Sequence, residues 1–199
     1  MKRIGIFGGT FDPPHIGHVT AAKAFTEKLC LDQLLIIPTY LPPHKSKDSN
    51  ATPKDRIEMS KLAFSGVRNA EISDIEIKRG GTSYTYITLE ELHREDRHLF
   101  FLCGTDMFLT LDSWKNPEII FKLCTICYIR RETSSAISKQ IDAKAKEYRE
   151  KFKAEIEFID SSAIEMSSTE VREMIKSGKR EQSIEASVYD YICKRGLYK

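Results

Sequence analysis

The chain has 199 residues, 41% of them apolar, with 31 Lys and Arg against 29 Asp and Glu and a formal net charge of +2. That length suits one domain with a sizeable core, and interspersed charges of nearly balanced sign argue against a dedicated nucleic-acid or membrane surface. No run reaches the roughly 18 apolar residues of a membrane span, "MKRIGIFGG" lacks a signal-peptide core, and five cysteines, mostly in apolar stretches, fit buried thiols in a reduced, cytoplasmic setting.

In chain order, the first strand is expected over 3–7, "RIGIF", and it runs directly into "GGTFDPPHIGH" (8–18). Gly8 and Gly9 predict a tight turn whose main-chain N–H groups approach a ligand. A helix over 17–29 follows, and its first turn supplies unsatisfied N–H donors and the positive end of a dipole, both attractive to phosphate. His15 and His18 lie three apart, so their imidazoles can donate towards the same region. Neither G-x-x-x-x-G-K-[ST] nor G-x-G-x-x-G is present. Taken alone, H-x-x-H reads as a helix-start turn with two surface histidines; the eleven residues together are far more specific.

A strand over 33–38 leads into the irregular stretch "PTYLPPHKSKDSNATP" (38–53), whose Pro, Ser and Asn content marks a loop. Further on, helices are expected over 53–64, 84–94, 116–122, 138–152, 168–177 and 186–194, and strands over 70–77, 98–103, 123–129 and 155–159. Within "LCTICYIRR" the C-x-x-C falls in a buried strand, where side chains three apart face opposite ways, so no metal is assigned. Near the end, "MSSTEVREMI" (166–175) carries a capping box, Ser167 to Glu170. Ser168 and Arg172, four apart, place a hydroxyl and a guanidinium on one helix face, a pair suited to phosphate oxygens. Strands alternating with helices predict a Rossmann-like α/β fold: a doubly wound, mostly parallel sheet with helices on both faces. A small helical portion from about residue 160 completes one domain spanning 1–199.

"GGTFDPPHIGH" closely resembles the signature of bacterial nicotinate-nucleotide adenylyltransferases, within the wider H-x-G-H nucleotidyltransferases, and "MSSTEVR" resembles their I-S-S-T-x-x-R, with Met166 at the Ile position. The resemblance implies catalytic roles for His15, His18, Ser168 and Arg172. It implies ATP binding by Gly8, Gly9, Thr10, Phe11, Gly17, Ser167 and Thr169, joined by Gly104 and Asp106 of "FLCGTDMFLTLDSW". For the mononucleotide it implies His44 and Lys45 of "PPHK", Tyr84 and Thr85 of "GGTSYTYITLEEL", and Trp114 stacking on the pyridine ring.

The implied reaction is adenylyl transfer from ATP, accompanied by Mg²⁺, to nicotinate mononucleotide, giving deamido-NAD and pyrophosphate. Alternatives are an adenylyltransferase for nicotinamide mononucleotide or phosphopantetheine, and a non-catalytic nucleotide sensor. The phosphopantetheine pattern, G-S-F-D-P-x-T-x-G-H, fits this loop less well. A class I tRNA synthetase shares H-I-G-H, but this chain is short and has no K-M-S-K-S-like loop. Arg130 and Arg131 have two readings, contact with nucleotide phosphates or surface pairing, with surface pairing the default; oligomeric state stays open, a homo-oligomer being compatible.

Overall fold

The runs "QLLIIP", "RHLFFLC" and "CTICYIR" are apolar at successive positions, which suits strands buried on both faces of a parallel sheet. The computed structural model, which describes residues 1–42, 50–130, 134–161, 166–178 and 183–199, places all three inside such a sheet. Its six strands are β1 (Lys2–Gly9), β2 (Gln33–Pro38), β3 (Ala70–Ile72), β4 (Arg97–Cys103), β5 (Cys124–Arg130) and β6 (Ile156–Asp160). They pair in parallel in the order β3-β2-β1-β4-β5-β6. The short strand β3 and the half-polar β6 occupy the edges, where one neighbour is enough.

The strand period of two splits the apolar residues into two layers. Ile36, Phe100, Leu102, Cys127 and Ile129 face one way. They meet α1 (Ile16–Lys28), α2 (Pro53–Ala63), α8 (Ser168–Lys176) and α9 (Ala186–Arg195). Ile4, Ile6, Ile37, Phe101, Ile126 and Tyr128 face the other way. They meet α4 (Thr85–Leu92), α5 (Thr105–Thr110), α6 (Pro117–Leu123) and α7 (Ser135–Phe152). Small residues on α1, Gly17, Ala21 and Ala22, let that helix lie close to the sheet, with Phe25 sealing the gap. A side chain at Gly5 would collide with Leu31 Cδ1, which explains the glycine in mid-strand.

The expected doubly wound sheet and its helical final portion are present. The strand expected over 70–77 is not: β3 ends at Ile72 and α3 (Ile75–Arg79) follows. "DIEIKR" alternates like a strand, but an Asp74–Lys78 ion pair at 3.0 Å and a hydrogen bond to buried Glu76 favour a helical turn. Gly80, at φ 70°, ends it. Helix α5 and the 3₁₀ turn Leu111–Ser113 were not expected; they are too short for a periodic signal, although Phe108 and Leu111 anchor both. Cys124 and Cys127 do face opposite layers, whereas Cys30 and Cys193 are exposed, contrary to general thiol burial. Burial pushes the Cys103, Cys124 and Cys127 thiols up, so they stay protonated. Among the described residues no helix is long and apolar enough to cross a membrane.

Candidate active site

Strands β1 and β4 pair only as far as Ile6 and Phe101, though both run further. They part because α1 leaves β1 on one face and α5 leaves β4 on the other, the topological switch point at which open α/β sheets bind ligands. A cavity of about 780 Å³ opens there, lined on the strand side by Ile6, Gly8, Gly9, Thr10 and Phe101. The tight turn expected at Gly8 and Gly9 does not form. Both stay extended in β1, paired with Ile37 and Pro38, and the left-handed residue is Phe11 at φ 50°. Their lack of side chains has another use. A Cβ on Gly9 would sit 2.9 Å from the Phe11 ring, and one on Gly8, with Phe101 its nearest neighbour at 4.0 Å, would stand in the cavity.

Tyr84, Thr85 and Trp114 line the same cavity. Trp114 is half-buried, edge-on to Phe101, with Nε1 donating to Thr110 Oγ1 at 3.4 Å; it is wall rather than core. Ser83 does not cap α4. Its hydroxyl accepts from the Tyr40 N–H at 2.9 Å, Tyr84 takes the cap position, and no side chain bonds to that cap. The first turn of α4 thus turns backbone donors and a positive dipole end towards the cavity. Beneath it lies Glu76, a residue without an assigned role in the sequence reading. It is 6% exposed, its Oε1 accepts from Thr88 Oγ1 at 2.7 Å, and its Oε2 has no hydrogen-bond partner among the described residues. Thr88 in turn accepts from Arg79, which is paired with Glu91. His44 and Lys45 lie outside the described residues, as does Arg131.

The two motifs expected to share a site do meet, across more than 150 positions. Ser168 Oγ donates to the Pro13 carbonyl at 2.9 Å. Arg172 Nη1 donates to the Asp12 carbonyl at 2.8 Å and Nη2 to Thr169 Oγ1 at 3.1 Å. The Ser167–Glu170 capping box is formed and holds the Glu170 carboxyl below its usual range. Ser168 and Arg172 therefore fasten the loop that leads to His15, in addition to presenting donors beside a helix start.

His15 is 3% exposed at the cap of α1, and Gly17 is buried in the first turn. The His15 N–H donates to His18 Nδ1 at 3.2 Å, and the two rings lie against each other, tilted by 37°, with centroids 3.7 Å apart. Since Nδ1 of His18 accepts, the neutral ring carries its proton on Nε2, which makes that atom a donor. Phe11 backs His18 edge-on at 5.1 Å and packs with Phe7 and Phe64. Gly104 caps α5 at the end of β4 and Asp106 is exposed in its first turn; neither lines the cavity. Arg130 is surface-paired with Asp142 at 3.4 Å, as expected.

Three further groups organise this region. Arg56, 5% exposed, donates to the Thr10 carbonyl at 2.9 Å and the Tyr40 carbonyl at 3.3 Å, tying the loops after β1 and β2 together. Burial pulls its pKa below the usual arginine value, against the opposing effects of Asp12 and Tyr198. Asp55 accepts from Thr52, from the Tyr191 hydroxyl at 2.8 Å and from Arg195 Nε at 3.0 Å. Burial works to raise its carboxyl, but these donors outweigh it and hold the pKa at about 2. Tyr198 donates its hydroxyl to Asp12 Oδ1 at 2.6 Å. In sequence, Arg56 reads as a charge on a solvated helix face. Only the polar residues at 56 and 60, one turn apart beside apolar Ile57 and Met59, hint at an inward polar row.

A cytidylyltransferase-like family model matches residues 6–174. Proteins from Clostridium acetobutylicum and Clostridium tetani are 39% and 37% identical over 202 residues, with 100% of each chain covered. One from Desulfatibacillum aliphaticivorans is 36% identical over 214 residues, covering 98% of this chain and 99% of the relative. All three bear the name "Probable nicotinate-nucleotide adenylyltransferase". Among solved structures, Plasmodium falciparum nicotinic acid mononucleotide adenylyltransferase complexed with NaAD superposes with a TM-score of 0.77. At 20% identity, over 100% of this chain and 98% of that one, it speaks to the fold.

Proposed function

The chain belongs to the cytidylyltransferase-like family and, within it, to the nicotinate-nucleotide adenylyltransferases, and we propose that its site transfers the adenylyl group of ATP to nicotinate mononucleotide, in the cytoplasm. The observation that carries this reading is the docking of Ser168 and Arg172 onto residues 12–13, which brings the starts of α1 and α8 together at the loop that follows Gly8, Gly9 and Thr10. The Plasmodium neighbour, which shares the fold, is complexed with NaAD, and this is in keeping with a dinucleotide product here.

The attacking atom is an ionised phosphate oxygen of the mononucleotide, so the reaction needs no general base. That oxygen forms a bond to the α-phosphorus of ATP as the bond to the β-phosphate oxygen breaks, and pyrophosphate leaves with the electron pair. The protein's work is alignment and stabilisation of charge on the transferring and departing phosphates. Nε2–H of His18 and the N–H groups opening α1 and α8 are donors of the right kind, and Gly8 and Gly9 leave room for the phosphates. On the acceptor side, Trp114 offers a face to the pyridine ring, and the uncapped start of α4 at Thr85 offers N–H donors to its carboxylate. Among the described residues there is no group of three or more His, Cys, Asp or Glu able to hold a metal ion. Mg²⁺ is implied by the nucleotide itself, and ATP is read as entering with the ion held by its own phosphates and water.

Pyrophosphate release from ATP, measured with nicotinate mononucleotide, nicotinamide mononucleotide and phosphopantetheine in turn, tests the reading. Release with the nicotinate acceptor, and a product of the mass of deamido-NAD, is expected. Release with phosphopantetheine alone, or with no acceptor, would overturn it.

A further inference from the structure

Helix α9 is stopped by Gly196 in the left-handed region at φ 64°, and Tyr198 takes the same unusual conformation at φ 60°. A tyrosine rarely adopts that backbone, because its Cβ crowds the following carbonyl. Here it turns the ring inward. Tyr198 is 3% exposed, in the same apolar layer as Phe11, Met59 and Phe64, and its hydroxyl reaches Asp12 Oδ1 at 2.6 Å. Its N–H donates to Asn50 Oδ1 at 3.0 Å, in the segment between β2 and α2. Just before it, Tyr191 and Arg195 of α9 hold Asp55 at the start of α2. Asp12 is thus gripped twice, by Tyr198 at its carboxylate and by Arg172 at its carbonyl, while Ser168 grips the next residue.

We infer that Tyr198 is a positioning residue for catalysis: its hydroxyl braces Asp12 and so fixes the loop that presents His15 and His18. It acts through Asp12 and touches neither reacting phosphate. The kinetic arm of the test rests on the adenylyl-transfer reading; the exchange arm does not.

Tyr198→Phe keeps the ring in the core and removes only the hydroxyl. A loop that wanders by a fraction of an ångström costs orienting power, so kcat should fall on the order of tenfold, with each KM changed less than about threefold. Amide hydrogen exchange should quicken over residues 10–16 while the sheet and α9 keep their protection. In an Asp12→Ala background, adding Tyr198→Phe should cost nothing more. A kcat within about twofold of wild type, additive losses in the cycle, or exchange that rises uniformly through the molecule would each overturn the inference. If Tyr198→Phe does not fold, Asp12→Ala, which leaves the ring seated, must show the same local exchange increase, and its absence would overturn the inference. Wild-type protein that transfers no adenylyl group would fail the functional reading, while the exchange arm would still decide the brace.

Discussion

Arg56→Met should loosen both sides of the crevice at once. The guanidinium makes two charge-assisted bonds to backbone carbonyls, Thr10 at 2.9 Å and Tyr40 at 3.3 Å, in a site where the residue is 5% exposed. Bonds from a charged donor contribute about 1.5–3 kcal/mol each, so their loss alone removes about 3–6 kcal/mol. Relief of the cost of burying a guanidinium returns part of this, because methionine fills similar space without charge. A net loss of about 2–4 kcal/mol remains, since two carbonyls are left unpaired. For a protein of this length that lowers Tm by roughly 4–16 °C. Function should suffer on both substrates, because Thr10 lies on the phosphate side of the crevice and Tyr40 on the path to α2. Arg56→Lys keeps the charge but loses the planar fork, so it should rescue little. Thermal melts and initial rates with each substrate varied are the assays. A Tm within 1–2 °C of wild type, together with unchanged KM for both substrates, would refute the tether.

His18→Ala should lower kcat by about 10²–10³ with the fold intact by circular dichroism, the usual loss of a well-aimed donor; an unchanged kcat removes His18 from the mechanism. Trp114→Ala should raise KM for nicotinate and nicotinamide acceptors alike and leave their ratio nearly constant, because stacking is blind to acid or amide; a ratio moved tenfold would contradict this. Asp55 titrates at about 2 in the folded chain against an ordinary 3.8, so its contribution is present above about pH 4 and disappears as pH falls through 2. Asp55→Asn should therefore be about 1–2 kcal/mol less stable at pH 7, with the gap closing near pH 2; a gap in urea midpoints independent of pH would refute it.

The sheet was legible because its inner strands hold unbroken apolar runs such as "LLII" and "LFFLC", and the site because "GGTFDPPHIGH" and the serine-rich "MSSTEVR" stand at helix starts where the fold needs a ligand end. The tight turn expected at the glycines did not form. Left-handed backbone falls on Phe11, whose buried ring repays the strain, and the glycines instead clear space for that ring and for the cavity. "DIEIKR" misled because its alternation is genuine; what makes it helical is a buried carboxylate whose partner, Thr88, lies on another element. Arg56 and Tyr198 escaped for the same reason. Each works through an oxygen of the loop after β1, at Thr10 or Asp12, and nothing in a local window announces a partner 46 or 186 positions away.

The acid-to-amide ratio of kcat/KM tests the central claim most directly. Nicotinate mononucleotide presents a carboxylate that can accept at both oxygens from N–H donors at the start of α4, whereas the amide would turn an NH₂ towards one of them. One mismatched polar pair in a partly dry pocket costs about 1–3 kcal/mol. The predicted preference for the acid is on the order of 5- to 150-fold. Equal kcat/KM for acid and amide would contradict the account, and a preference for the amide would reverse it.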